Sequence, residues 1–309
     1  MRWSARASST PCWLRKTFLS GGGIVAQKVK IGLVQPNIWD DMAANIAHVS
    51  ALVRKAKDAG ADFITTPENS GFMGVNAAAS VAAGKPEESH PALQAFRKLS
   101  EELNTWLLVG SLAIKPEGAN RNFNRSYLLA PDGGIAARYD KIHLFDVDLP
   151  SGETYRESNS IAPGGEGVLT SLPFGTLGMS VCYDLRFPGL YRGLAQAGAD
   201  MITIPAAFTR TTGQAHWHVL MRARAIETGA FVIAPAMWGD HPGSRQTYGH
   251  SLVVDPWGRV LADMGDGVGA KVVEIDLAEV AKARAQIPAW RHDPVYTLPA
   301  RNLTGRAAE

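Results

Sequence analysis

Short apolar runs alternate with amphipathic stretches along most of the chain. "VKIGLVQP" (29–36) reads as a buried strand. In "MAANIAHVSALVRKAKDAG" (42–60), Ile46, Val49, Val53 and Ala56 recur at helical spacing, with Asp40 or Asp41 as the cap and Gly60 at the end. "DFITTPE" (62–68) predicts a second strand, and "HPALQAFRKLSEELN" (90–104) a helix with Leu93, Phe96, Leu99 and Leu103 inward. "WLLVGSLAI" (106–114) predicts a third strand. "NRSYLLAPDGGIAARYDKIHLF" (124–145) is two strands joined by Pro-Asp-Gly-Gly, a hairpin signal.

The same alternation returns further on. Buried strands around "FGTLGMSVCYD" precede a helix, "FPGLYRGLAQAG", and a strand, "DMITIPAAF". A helix in "HWHVLMRARAIETGA" places Val219, Ala223 and Ile226 on one face. "FVIAPAMW", "YGHSLVVDPWG", "RVLADMG" and "AKVVEIDL" predict strands, and "LAEVAKARAQI" a last helix stopped by Pro288. Two β-α half-patterns with hairpins between them predict two mixed sheets covered by helices, in one domain. There is no linker and no repeat at a solenoid period. The expected division is a leader over 1–27, a folded domain over 28–297 and a tail over 298–309.

Composition narrows the function. Of the 309 residues, 46% are hydrophobic and 19% charged, a globular balance. No apolar run approaches the roughly 18 residues of a membrane span, so no membrane partner is expected. Two cysteines, Cys12 and Cys182, cannot build a disulfide framework, which favours a reducing compartment. The net charge of +2 is misleading, because residues 1–30 hold six basic residues and no acid. The rest carries 25 basic and 29 acidic residues, which speaks against a nucleic-acid partner. The first 25 residues are Arg- and Ser-rich, acid-free and end near a Gly-Gly-Gly. They read as a mitochondrial transit peptide, a disordered extension or a start placed too far upstream. Without a cleaved transit peptide, the expected location is the cytoplasm.

Glu68 and Cys182 sit at the ends of apolar strands where polar residues take over, and Lys141 ends the hairpin strand "IAARYDK". The carboxyl end of a strand is where open α/β sheets bind ligands. Taken singly, each has a plain reading: a cap or loop acid, a strand lysine, a core cysteine. Together they supply an acid, a cation and a thiol. A nearby carboxylate can take the thiol proton, an ammonium favours the anion, and the thiolate can attack an amide carbonyl. Lys141 and the backbone N–H of Tyr183 could hold the oxyanion.

The words around these residues are specific. "TPEN" at Glu68, "YDKIHLFDVD" at Lys141, "ESNSIAPG" at Glu157 and "VCYDLRFP" at Cys182 follow in that order. The sequence from about 29 to about 297 resembles the nitrilase superfamily of carbon–nitrogen hydrolases. The resemblance implies Glu68 as general base, Lys141 as catalytic lysine and Cys182 as nucleophile. It implies that Glu157 positions Glu68 and Lys141. It further implies an α-β-β-α sandwich, no metal, no cofactor, and a homodimer or larger homo-oligomer.

Nitrile-cleaving members typically carry Trp-Glu after the cysteine, where this chain has Tyr183-Asp184. "CYDLRFP", "TGQAHWHVLMRARAIET" and "RQTYGHSLVVDPWG" resemble the Nit-type amidases, which implies an amide of a small, carboxylate-bearing acid as substrate. "RARAIET" and "YGHS" lean toward the deaminated-glutathione type. An ω-amidase, an N-carbamoyl amine hydrolase and a catalytically idle scaffold are the alternatives. Arg186, four residues past the cysteine, either pairs with the substrate carboxylate or forms a structural salt bridge. Phe208 either lines the acyl pocket or packs in the core. His216 and His218 sit at i and i+2 of a helix and do not face each other, so no metal pair is expected. "GDGVGA" (265–270) joins two strands and does not open a helix, so it reads as a hairpin turn, not a dinucleotide loop.

Overall fold

The computed structural model describes residues 28–149 and 152–297. The expected leader with Cys12, and the expected tail, lie outside the described residues.

Two mixed sheets stack face to face. In the seven-stranded one, β1 (Lys28–Gln35), β2 (Phe63–Thr65) and β3 (Trp106–Ile114) run parallel at the centre. The hairpin β4 (Asn122–Leu129) and β5 (Ile135–Asp140) continues it antiparallel, with β6 (Ile161–Ala162) beside β4. The second sheet has six strands: β7 (Val168–Leu172), β8 (Gly175–Met179), β9 (Met201–Thr203), β10 (Phe231–Ala234), β11 (Leu252–Val254) and β12 (Val260–Asp263). Its β8, β9 and β10 are again parallel and central. The chain then returns to the first sheet, where β13 (Gly269–Asp276) pairs antiparallel with the whole of β1. The "GDGVGA" stretch makes that return, with Gly265 and Gly267 at positive φ; it is not the expected hairpin turn, because the strands it joins belong to different sheets.

Period-two alternation sorts side chains between layers. Val29, Ile31 and Leu33 of β1, Leu108 of β3 and Leu128 of β4 face the second sheet, packing in one cluster with Leu177, Met179 and Met201. Leu107, Val109, Tyr127 and Leu129 point the other way, onto α1 (Met42–Asp58) and α3 (Pro91–Glu102). The Asp41 side chain caps α1 by accepting from the Ala44 N–H at 3.0 Å. α4 (Pro188–Gln196) and α5 (Arg210–Thr228) cover the second sheet, giving the expected α-β-β-α sandwich. Among the described residues no helix is long and apolar enough to cross a membrane.

Two details depart from the sequence reading. α2 (Ala77–Ala83), capped by Asn76, buries none of its residues and so leaves no apolar period to detect. On α5 the face carrying Val219 and Ile226 points to solvent, and the buried face is Trp217, Met221, Arg224, Ala225 and Thr228. Arg224 and Thr228 go inside because each finds a partner: Arg224 Nε donates to the Leu185 carbonyl at 2.8 Å, and Thr228 Oγ1 to the Arg224 carbonyl at 2.7 Å. Hydropathy alone assigns such residues to the surface.

One ion cluster ties the hairpin to the turn before α3. Glu87 accepts from Arg138 at 2.6 Å, Arg125 at 3.0 Å and the Tyr127 hydroxyl at 3.0 Å. The Arg138 hydrogen bond is the main cause that holds its pKa down at about 2. A depressed carboxylate contributes stability above its unfolded pKa of about 4.3, and the contribution fades as pH falls toward the folded value. Glu87→Gln is therefore expected to cost about 2 kcal/mol at pH 7. In urea melts at both pH values, the gap to the unaltered protein should narrow at pH 3; a constant gap would contradict this.

Candidate active site

Each site residue leaves a strand end that the sequence fixes locally. Glu68 follows β2 in the segment Thr66-Pro67-Glu68, which lies against β3. The Thr66 N–H donates to the Leu108 carbonyl at 2.9 Å, and the Gly110 N–H to Thr66 Oγ1 at 3.1 Å. A Cβ on Gly110 would stand 2.1 Å from the Thr66 carbonyl oxygen, so only glycine allows this approach. Lys141 directly follows β5, its N–H bonded to the Asn124 carbonyl at 3.0 Å. Glu157 opens a single 3₁₀ turn, Glu157–Asn159. Cys182 opens another, Cys182–Arg186, just beyond β8.

Cys182 has φ of 48°, the left-handed region that costs a non-glycine residue free energy. Its N–H is committed to the Pro205 carbonyl at 2.9 Å. Among the described residues no backbone acceptor takes the next N–H, that of Tyr183.

The fold brings these side chains together. Lys141 Nζ donates to Glu68 Oε1 at 2.9 Å and to Glu157 Oε2 at 2.8 Å. Cys182 shares the wall of one cavity with Glu68 and Lys141, and the charges of both act on its buried thiol. The other Glu68 oxygen accepts from the Ala207 N–H at 2.9 Å. Glu157 also accepts from the Phe145 N–H at 2.7 Å. Lys141 is 2% exposed and Glu68 2%, so these charges interact with little screening by water.

The protonation states follow. Burial alone would raise the Glu68 pKa, but the charge and hydrogen bond of Lys141 overcome it and hold the carboxyl below its usual range. Burial opposes the charge on Lys141, yet Glu157 and Glu68 together raise its pKa. Burial, then the Glu68 charge, push the Cys182 thiol well above its ordinary value against the pull of Lys141. At neutral pH the site holds a neutral thiol, a carboxylate that can accept its proton, and an ammonium.

Three supporting residues have no signal in the sequence that marks them. Asn124 Nδ2 donates to both Glu68, at 2.8 Å, and Glu157, at 3.1 Å. It sits on β4 at the inward phase of the strand alternation, which is the only hint. Asp184, fully buried, accepts from the Tyr139 hydroxyl (2.6 Å), the Val181 N–H (2.8 Å), the His143 N–H (3.0 Å) and the His143 ring (2.7 Å). It thereby links the turn carrying Cys182 to the segment following Lys141. Arg245, from the far end of the chain, is the third.

Glu68, Lys141, Glu157, Cys182, Tyr183 and Phe208 line one cavity of about 490 Å³. Arg186 is not among its lining residues. Its guanidinium lies over the rings of Phe208 (5.3 Å) and Tyr183 (5.8 Å) and meets His216 Nδ1 at 3.3 Å. Its partner is therefore a histidine and two ring faces, and it forms no salt bridge among the described residues. His216 and His218 diverge as their spacing requires. His218 instead meets His250 and Asp263, with Nε2 2.9 Å from one Asp263 oxygen and His250 Nδ1 3.0 Å from the other. The ligand atoms of these three lie within 4.8 Å of one another, and none of the three lines the cavity.

Comparison with known proteins shows the family of the chain. The carbon-nitrogen hydrolase family model matches residues 30–285. The deaminated glutathione amidase of Synechocystis sp. (strain PCC 6803 / GT-S) is 39% identical over 265 residues, covering 84% of this chain and 94% of that protein. The human deaminated glutathione amidase is 38% identical over 266 residues, 85% of this chain and 81% of its own. Among solved structures, the C. elegans NitFhit protein superimposes with a TM-score of 0.80 at 34% identity, covering 87% of this chain and 66% of that longer one. Saccharomyces cerevisiae Nit3, of branch 10 of the nitrilase superfamily, gives 0.78 at 27% identity, covering 87% and 97%. The acid, the lysine and the thiol gathered between two sheets thus sit in a chain that belongs to the carbon-nitrogen hydrolase family of the nitrilase superfamily.

Proposed function

We propose that the protein hydrolyses the amide of a small, carboxylate-bearing acid through a thioester on Cys182, with deaminated glutathione as the favoured substrate. The observation that carries this is the gathering of Cys182, Glu68 and Lys141 at the wall of one cavity, with Glu68 ion-paired to Lys141 at 2.9 Å. In this reading Glu68 takes the thiol proton as sulfur attacks the carbonyl carbon. The oxyanion is held by Lys141 and the Tyr183 N–H; one such donor contributes about 3 kcal/mol. When the intermediate collapses, the C–N bond breaks and Glu68 passes its proton to the leaving nitrogen. Water then attacks the thioester, giving a proton to Glu68. The C–S bond breaks, and that proton returns to sulfur. Glu157 and Asn124 hold Lys141 and Glu68 in register and touch no reacting atom.

The substrate choice draws on the relatives named deaminated glutathione amidase and on the size of the cavity. A turnover that depends on a free thiol suits the reducing cytoplasm, where we place the protein.

The test follows the leaving group, the cysteinylglycine amine from deaminated glutathione and ammonia from ω-amides of 2-oxo acids, carbamoyl amines and nitriles, together with intact mass spectrometry. The expected result is release from the first class and an acyl adduct that is absent in Cys182→Ala. Preferred release from the ω-amides or carbamoyl amines would move the protein to a neighbouring branch. No adduct and no released amine or ammonia from any of them would make it an idle scaffold.

A further inference from the structure

Lys141 and two arginines, Arg156 and Arg245, are among the cavity's lining residues, and their partners differ. Lys141 is neutralised by Glu68 and Glu157. Arg156 pairs with Asp148 at 2.8 Å. Arg245 forms no ion pair with any described carboxylate. Its Nη2 donates to the Ala207 carbonyl at 2.9 Å, and its Nε is buried with no acceptor among the described residues. The guanidinium lies 5.6 Å from the centre of the Tyr155 ring, itself part of the cavity wall.

A guanidinium cannot shed its proton, so a half-buried one without a counter-ion carries an uncompensated desolvation cost. With Nη2 on the Ala207 carbonyl and Nε buried, the edge left for a ligand is Nη1 with the second Nη2 hydrogen, which matches a carboxylate in shape and charge, and the Tyr155 ring beside it gives that anion a dry wall. The geometry points to Arg245 as the binding site for the substrate's carboxylate, in the same cavity as Cys182. The ligand class is a short acid with a free carboxylate, and Arg245 is then the residue that selects anionic over neutral amides. This rests on the amidase reading for the chemistry but not for the binding. Arg186, behind the rings of Tyr183 and Phe208, is the competitor for the role.

Binding is measured by calorimetry with succinate and its neutral diamide, succinamide, so the readout needs no turnover. The intact protein should bind succinate at least about tenfold more tightly than succinamide. Arg245→Met should weaken succinate about 10- to 100-fold, with Arg245→Lys between the two, because a lysine restores the charge without the fork. Arg210→Met, which removes an exposed arginine paired to Asp240, should leave succinate affinity unchanged. Equal affinity of the intact protein for both ligands overturns the proposal, whatever the variants do. So does a loss of succinate affinity in Arg186→Met with none in Arg245→Met. Amide hydrolysis is scored separately by the released amine or ammonia: its absence from every amide would remove the amidase reading while the succinate result still stands or falls alone.

Discussion

Lys141→Met is expected to abolish amide hydrolysis and to destabilise the protein by about 3–5 kcal/mol, because it strands buried carboxylates. Glu68 and Glu157 approach Nζ at 2.9 and 2.8 Å, and neither has another cation within ion-pair distance among the described residues. Without the ammonium, burial is the dominant influence on Glu68, and it raises the pKa. A protonated Glu68 cannot accept the thiol proton, and the oxyanion loses a cationic donor. Turnover should fall by at least about 10³-fold. Urea melts and single-turnover acylation measure the two effects. A variant that unfolds at the native midpoint and still acylates would contradict the assignment of Lys141.

The second large effect belongs to a residue that touches no substrate. Asp184→Ala leaves the Tyr139 hydroxyl, two backbone N–H groups and the His143 ring without their acceptor. Each stranded donor costs about 1–3 kcal/mol, so a total loss of about 4 kcal/mol is expected. Because those donors belong to the segments bearing Lys141 and Cys182, acylation should slow as well, mainly in kcat rather than in KM. Asp184→Asn keeps an acceptor oxygen and should recover part of both. A loss of stability under 1 kcal/mol in Asp184→Ala would show that Asp184 does not hold the turn.

What the sequence made visible follows from the range of the forces involved. Strand β3 was bounded correctly because its apolar run is long and continuous, and α1 because its cap and apolar spacing are local. Glu68, Lys141 and Cys182 were legible as strand-end residues set in specific words. Asn124, Asp184 and Arg245 were not, since their partners lie far along the chain: Asn124 meets Glu68 across 56 positions and Asp184 meets Tyr139 across 45. The α5 face was misassigned for the same reason, since only the fold supplies Arg224 with the Leu185 carbonyl. The distance of Arg186 from Cys182 in sequence leaves open whether it binds a carboxylate or forms a structural salt bridge. The turn at Cys182–Arg186 instead carries it behind two rings.

Glu68 comes from the first sheet, while Cys182 and the Ala207 N–H that steadies Glu68 come from the second. Neither half of the sandwich owns a working acid–thiol couple. The reactive centre comes into being only when the halves dock, so a nascent or nicked chain stays chemically silent until assembly is complete. Two fragments, severed between β6 and β7, would regain hydrolysis only by reassociating, which makes catalysis itself a reporter of correct closure.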